Sequence, residues 1–294
     1  MAENVKVLRR RLRSIRNTKQ ITRAMEMVSA AKLRRAQHVL MAARPYAGKL
    51  QELLGHLAGS ADADHPLFHK REVRHRLLVV VTADRGLAGA FNAQIIKRAE
   101  AMLRNATVPT SLGIIGKKAF DHFKGRGVSI AFSVPDMGGR VSASRTRKVT
   151  ETLQRMFLDG EVDEIVLLYN RFISTIVYRP TEEQLLPLEP EALLGMAGDA
   201  GDAHHGRQVD YLIEPSPARV FSSLLPRYIG AKVYIMLAET FAAEHSARMV
   251  SMSGATKNCE DLITTLTLRM NKVRQASITK EILEIVGGAE ALKG

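Results

Sequence analysis

Residues 3–44 contain neither proline nor glycine, and no proline follows Pro226 to the end of the 294-residue chain. Proline and glycine are the residues that break helices, so uninterrupted tracts of this length are read as helices. In the first tract Leu8, Leu12, Ile15, Ile21, Met25, Val28, Leu33, Ala36 and Leu40 recur mostly three or four residues apart, which is the spacing of one helix face. Residues 3–58 are read as one or two helices, with Pro45 the candidate break. Residues 3–44 alone would reach about 60 Å at 1.5 Å per residue. A helix so long needs a second helix or an enclosing protein against it. The second tract, 227–290, offers that helix. Leu262, Leu266, Met270 and Val273 form one stripe, and Ile278, Ile282 and Ile285 continue it after a change of phase. Small residues from Ala242 to Ala255 allow close helix approach. The two ends are expected to form an irregular antiparallel coiled coil.

The middle alternates differently. LLVVV at 77–81, TSLGIIG at 110–116, GVSIAFSV at 127–134 and EIVLLYNRF at 164–172 read as strands. Helical stretches lie between them, at 93–104, through Phe123 and near 143–158. STIVYRP and VDYLIEP read as further strands, and 189–208 reads as an exposed loop. Such alternation predicts a doubly wound, Rossmann-like α/β domain with an antiparallel addition. The expected fold class is α plus α/β, with an antiparallel coiled coil of long terminal helices projecting from an α/β foot. The expected divisions are a first shaft helix in 1–60, the foot in 70–215 and a second shaft helix in 216–294.

Charge narrows the function classes. The formal net charge is +13, and residues 1–35 hold eleven Lys or Arg against only Glu3 and Glu26. An acidic partner is implied. Arg9, Arg10, Arg11, Arg13, Arg16, Lys19 and Arg23 could neutralise phosphates, so a basic coiled-coil nucleic-acid binder is one reading. Against it, the apolar stripe runs straight through the basic stretch, and residues 227–294 are nearly balanced, with nine basic and seven acidic side chains. A helical shaft among acidic protein surfaces fits better. Cys259 is the single cysteine, so no disulfide or thiol switch can form within the chain, which suits a reducing compartment. No apolar run approaches eighteen residues, so direct membrane insertion is not expected. The basic start continues well past the length of a transit peptide and is read as mature structure.

The chemical signals are weak. GIIGKKAF carries Gly116–Lys117 but not the GxxxxGK[ST] frame of a phosphate-binding loop. The turn after the first strand holds Asp84, Arg85, Gly86 and Gly89. It lies where α/β sheets place ligands, yet the same residues build a tight strand-to-helix turn, with Asp84 as cap and partner of Arg85. A small-molecule enzyme on residues 70–215 therefore stays as a further alternative. His65, His69 and His75, and His204–His205, are read as loop histidines rather than metal ligands, DGEVDE at 159–164 as a turn, and Cys259 as a small buried residue. No catalytic residues, metal site or cofactor are expected.

Three blocks in order carry a family resemblance: ITRAMEMVSAAKLRRAQ at Ile21–Gln37, ADRGLAGAFN ending at Asn92, and HSARMVSMSGATKNCEDLI followed by RQASITKEILEIVGGAEAL, Arg274–Leu292. The chain resembles the gamma-subunit family of F-type ATP synthases along essentially its whole length. The resemblance implies a central rotor shaft, non-catalytic itself, that turns inside a ring of alpha and beta subunits. It implies a foot that joins the epsilon subunit and the membrane c-ring, and a place on the cytoplasmic face of a bacterial inner membrane. It assigns Met25, Arg274, Gln275, Thr279 and Glu281 to contacts with beta subunits. It assigns Ile282, Ile285 and Val286 to an apolar bearing. Ala88 and Ala90 stand where the family's DRGLCGG form has Cys and Gly. Met270 stands at a usual tyrosine, and Cys259 at a usual alanine.

Overall fold

The computed structural model describes residues 5–58, 65–189 and 213–291. Their elements run α1 (Val5–Ala58), a 3-10 turn (Pro66–Phe68), β1 (Arg76–Val81), α2 (Phe91–Arg104), β2 (Thr110–Ile115), α3 (Lys117–Phe123), β3 (Ile130–Val134), α4 (Ala143–Leu158), β4 (Glu164–Phe172), β5 (Tyr178–Leu186) and α5 (Pro217–Ala291). The chain divides into two compact units, Met1–Ser29 with Arg248–Gly294, and Ala30–Ala247.

Both terminal tracts are single helices, of 54 and 75 residues, and each contains its proline. A proline inside a helix frees the carbonyl four residues earlier and costs about 3 kcal/mol. Pro45 and Pro226 are exposed, as are Met41 and Ser222, so the freed carbonyls lie on wet faces. Around Pro45 the opposite face carries buried Leu40, Leu50, Leu54 and Leu57, whose burial at roughly 1.5–3 kcal/mol each together exceeds the proline's cost. Pro45 is therefore no break, and α5 starts at Pro217, ahead of Pro226.

In the unit of Ala30–Ala247 the strands form one sheet in the order β3-β2-β1-β4-β5. β1 pairs in parallel with β2 and β4, β2 pairs in parallel with β3, and β5 is antiparallel to β4. This is the doubly wound arrangement, with its change of direction between β1 and β4. Alternation along β1 sends Leu77, Val79 and Val81 to one face and Leu78 and Val80 to the other. The first face packs on α1, α4 and α5 through Leu50, Leu54, Leu153, Phe157, Leu225, Ile229 and Phe241. The second packs on α2 and α3 through Ile95, Ala99, Ala119 and Phe123.

Two strand expectations change. Ser174–Val177 is a hairpin turn, and the strand that follows extends through Pro180 to Leu186. Pro180 lies on the edge strand β5, where a missing donor costs no ladder bond on the open side. Of VDYLIEP, Ile213–Pro215 is not strand, and Val209–Leu212 lie outside the described residues, as does nearly all of 189–208, including His204 and His205.

A charged cluster ties β4 and β5 to α1 and α5 within this unit. Glu183 meets Lys232 Nζ at 2.8 Å and accepts a hydrogen bond from Tyr169 Oη at 2.9 Å. Arg171 bridges Glu183 at 3.5 Å and Glu239 at 3.8 Å, and Arg44 reaches Glu239 at 3.3 Å. Burial pushes Glu183 up, but Lys232, Tyr169 and Arg171 outweigh it and hold its carboxyl below the ordinary 4.5. Burial also pushes Glu239 up, and there Arg171 and Arg44 do not restore it. A depressed carboxyl stabilises the fold above its unfolded value and loses that contribution as pH falls through its folded value. A raised one contributes below its unfolded value and loses that contribution as pH rises. Unfolding of Glu183→Gln, followed between about pH 3 and 7, is expected to show a shallower acid limb than wild type. Glu239→Gln is expected to remove a decline in stability above pH 4.5.

Candidate functional site

The residues singled out in the sequence fall in three places: the strand-to-helix turn after β1, the helix pair of the terminal unit, and the end of α5.

The turn is built by side chains that capture backbone groups. Asn92 Oδ1 accepts the Ala83 N–H at 2.9 Å, and Asn92 Nδ2 donates to the Arg85 carbonyl at 3.4 Å. Leu87 and Gly89 have positive φ, 60° and 56°. Asp84 reaches beyond its own turn. Its Oδ1 accepts the N–H groups of Lys117 and Asp136, both at 3.1 Å, and its Oδ2 that of Gly138 at 2.9 Å. The carboxylate therefore joins the ends of β1, β2 and β3 by capping α3 and the loop after β3. Arg85 and Gly89 are exposed, and Gly86 is half-buried.

At this carboxyl edge a doubly wound sheet normally receives its ligand. Here α5 fills it. Ala243 and Ala247 pack with Ala83, Ala88 and Phe91 in one cluster. His245 Nε2 lies 2.7 Å from the Gly139 carbonyl, and the Ser246 hydroxyl donates to the Thr175 carbonyl. The small residues of Ala242–Ala247 thus let a helix lie on a sheet edge, a second use beside helix–helix approach. The chain's own helix stands where a small-molecule substrate would.

In the terminal unit α1 and α5 run antiparallel, with Lys19 Nζ 2.9 Å from Glu260 Oε1 and Thr256 Oγ1 2.9 Å from Thr22 Oγ1. The hydrogen bond and charge of Lys19, with Arg23 nearby, hold Glu260 below the ordinary carboxylate range. The seam differs from the apolar stripe. Ile21 is 60% and Val28 55% exposed, whereas Thr22 and Ser29 are buried. Leu262 is likewise exposed, and Cys259 and Ile263 face inward in its place. The true seam of α1 in this unit keeps strict three-and-four spacing from Leu8 through Leu12, Ile15, Lys19, Thr22, Glu26 and Ser29, all buried or half-buried. Met25 is half-buried beside it, and its carbonyl accepts the Ser29 hydroxyl at 2.7 Å. Counting by heptads from Leu8, whatever the residue type, would have found Thr22 and Ser29.

Val273 is the last half-buried residue of α5 among those whose burial is described, and every side chain from Arg274 to Ala289 is exposed. Arg274, Gln275, Thr279 and Glu281 therefore all face outward. The Thr279 hydroxyl donates to the Gln275 carbonyl at 3.0 Å, and the Ser277 hydroxyl donates to Glu281 at 3.3 Å. Ile282 is 55%, Ile285 72% and Val286 58% exposed, with Leu283 beside them. These apolar side chains, interrupted by Glu284, lie open to water.

Elsewhere the side chains serve structure. His65 Nδ1 accepts the Leu67 N–H at 3.3 Å, and His75 Nδ1 lies 2.9 Å from the Glu161 carbonyl. Burial first, then the charge of His69, lowers His65. Asp163 accepts the N–H groups of Arg74 and His75 in the turn before β4. Among the described residues no three His, Cys, Asp or Glu side chains could hold a metal ion, and no helix is long and apolar enough to cross a membrane.

An antiparallel helix pair in one unit and, in the other, a doubly wound sheet whose ligand edge is covered by a helix define a coiled-coil and α/β class of protein. A family model described as ATP synthase matches residues 4–292. The ATP synthase gamma chain of Symbiobacterium thermophilum is 44% identical over 100% of both chains. That of Moorella thermoacetica is 46% identical over 97% of this chain and 98% of its own. The chain belongs to the ATP synthase gamma-chain family. Solved structures share the fold. A central stalk/c-ring structure of Tetrahymena thermophila mitochondrial ATP synthase has a TM-score of 0.59 at 24% identity, over 80% of this chain and 99% of that one. A Euglena gracilis mitochondrial ATP synthase structure has a TM-score of 0.67 at 20% identity, over 98% and 94%.

Proposed function

We propose that this chain is the central rotor of an F-type ATP synthase and carries torque between a membrane c-ring and a catalytic ring of alpha and beta subunits. Membership of the gamma-chain family over the full length carries the reading. The paired helices and the outward end of α5 support it. In this reading the chain does no chemistry. It presents different side chains to each beta subunit as it turns, and only such differential contact can shift the affinities of otherwise equal sites. Residues 1–60 and 216–294 form the shaft. Residues 70–215 form the foot, held together by the Asp84 turn with Arg85, Gly86 and Gly89, and meet the epsilon subunit and the c-ring. The complex sits on the cytoplasmic face of a bacterial inner membrane, with this chain peripheral to it.

Arg274, Gln275, Thr279 and Glu281 supply polar contacts to beta subunits, and Met25 a contact nearer the base of the pair. Arg274 and Glu281 offer charge-assisted hydrogen bonds, which are about twice as strong as neutral ones. Ile282, Ile285 and Val286 suit a bearing, because apolar attraction has no direction and does not oppose turning.

The test is co-purification with alpha and beta subunits, then ATP hydrolysis and ATP-driven proton pumping in vesicles. A chain that neither assembles nor alters hydrolysis is not a rotor. Replacing Arg274, Gln275, Thr279 and Glu281 together by Ala is expected to lower pumping about fivefold or more, since truncating such a group at an interface costs roughly 1 kcal/mol. The melting temperature of the isolated chain is expected to stay the same, since those side chains are exposed.

A further inference from the structure

The seam between α1 and α5 in the terminal unit changes character along its length. Toward the start of α1 it is apolar, with Leu8 and Leu12 buried and Ile263, Leu266, Met270 and Val273 half-buried. The next positions of α1 are Lys19, Thr22, Glu26 and Ser29. Thr22 and Thr256 are each only 8% exposed, so two hydroxyls occupy places where leucines would pack. Thr256 Oγ1 lies 2.9 Å from Thr22 Oγ1, and Thr22 Oγ1 lies 3.1 Å from the Lys19 carbonyl. The Thr256 hydroxyl also lies 2.9 Å from the Met252 carbonyl of its own helix, so its one proton is shared between Met252 and Thr22, while Thr22 donates its own to the Lys19 carbonyl. On the neighbouring turn Lys19 pairs with Glu260 at 2.9 Å.

Apolar seam contacts resist separation of two helices but are weak against sliding, because they have no direction. A shift of one heptad can set most apolar residues against apolar residues again, with Leu12 against Val273 and Ile15 against Met270, although Leu8 then meets Ser277. It also sets Thr22 against Ile263 or Met249, neither of which can match its hydroxyl, and Lys19 against Thr267 or Ser253. The native register alone joins Thr22 to Thr256 and Lys19 to Glu260. Twisting a two-stranded rope makes its strands slide past one another, and only directional links oppose that motion.

We propose that Thr22, Thr256, Lys19 and Glu260 form a polar key that fixes the axial register of the terminal helix pair and stops its strands sliding under twist. They are positioning residues, and the claim about twist rests on the rotor reading above. The key acts through direction rather than strength, so removing it leaves the pair bound but loose.

The experiment uses the full chain with Cys259→Ala and spin labels on cysteines placed at exposed Arg10 and Val250, followed by pulsed dipolar distance measurement. Thr22→Val with Thr256→Val keeps shape and adds apolar surface. The melting temperature is expected to hold or rise while the distance distribution widens about twofold, in line with the loss of a single hydrogen bond's bias between registers. Thr22→Ser with Thr256→Ser keeps both hydroxyls and is expected to give the wild-type width. In the assembled complex the valine pair is expected to lower pumping per ATP hydrolysed about threefold, and the serine pair to leave it unchanged. An unchanged width with valine overturns the key. A widened distribution with intact pumping per ATP overturns its role in twist. Failure of the wild-type chain to support any pumping sinks the rotor reading instead, and the distance measurement on the isolated chain still decides the register.

Discussion

Gly116→Val is expected to prevent the sheet domain from folding. Gly116 follows β2 at φ 99°, a region that side chains rarely enter, and a Cβ there would lie 2.0 Å from the Thr82 carbonyl oxygen. The backbone has no slack to yield. The Thr82 N–H donates to Ile115 at 2.8 Å, the Gly116 N–H donates to Val134 at 3.0 Å, and Thr82 Oγ1 accepts the Ala119 N–H at 2.9 Å. These bonds hold β1, β2, β3 and α3 together at one point. Strain of about 1–3 kcal/mol from φ adds to an overpacking cost of similar size. Their sum is a large part of a domain's usual margin of about 5–15 kcal/mol. Thermal melts followed by circular dichroism are expected to show a transition lowered by about 10 °C or more, or none at all. A soluble variant melting within a few degrees of wild type would refute this account of the edge.

Phe91→Ala is expected to destabilise the sheet unit strongly. The ring is fully buried at the first residue of α2 and packs on Tyr178, with centroids 5.7 Å apart, in the cluster that holds Ala243 and Ala247. Its carbonyl also accepts Asn170 Nδ2 at 3.2 Å, so α2 is fixed to β4 at the same residue. Removal of a buried Phe costs about 3–5 kcal/mol, which lowers the melting temperature by roughly 10 °C in a domain this size. The loss falls where α5 covers the sheet edge, so amide exchange in Ala83–Asn92 and Ala242–Ala247 is expected to rise together. Exchange that rises only in α2 would mean that the helix and the turn are not one packed body.

The sequence disclosed the elements through the physics it expresses directly. Leu77–Val81 and Glu164–Phe172 are apolar runs of strand length, and the long ends, poor in proline and glycine, read as helices. Where reading by apolar residues failed, polar side chains held inward places. The stripe through Ile21 and Val28 lies one residue away from a seam through Thr22 and Ser29, because a hydroxyl that donates to a carbonyl of its own helix packs like a small apolar group. Prolines misled for a related reason. Pro45, Pro180 and Pro226 sit where a missing N–H faces water or an open edge, which chain position alone does not reveal. Asp84 was legible as part of a turn, but its partners at Lys117, Asp136 and Gly138 are remote in sequence and appear only once the strands lie side by side. The outward polar set from Arg274 to Glu281 came from likeness to a family, since an exposed helix face carries no signal of what it touches.

The open end of α5 has a consequence for the cell that makes this chain. Ile278, Ile282, Leu283, Ile285 and Val286 are an adhesive strip whenever nothing surrounds them. In the rotor reading proposed above, copies synthesised ahead of their ring are thus a burden on chaperones and proteases, and balanced production of this subunit with its neighbours follows from the last few turns of one helix.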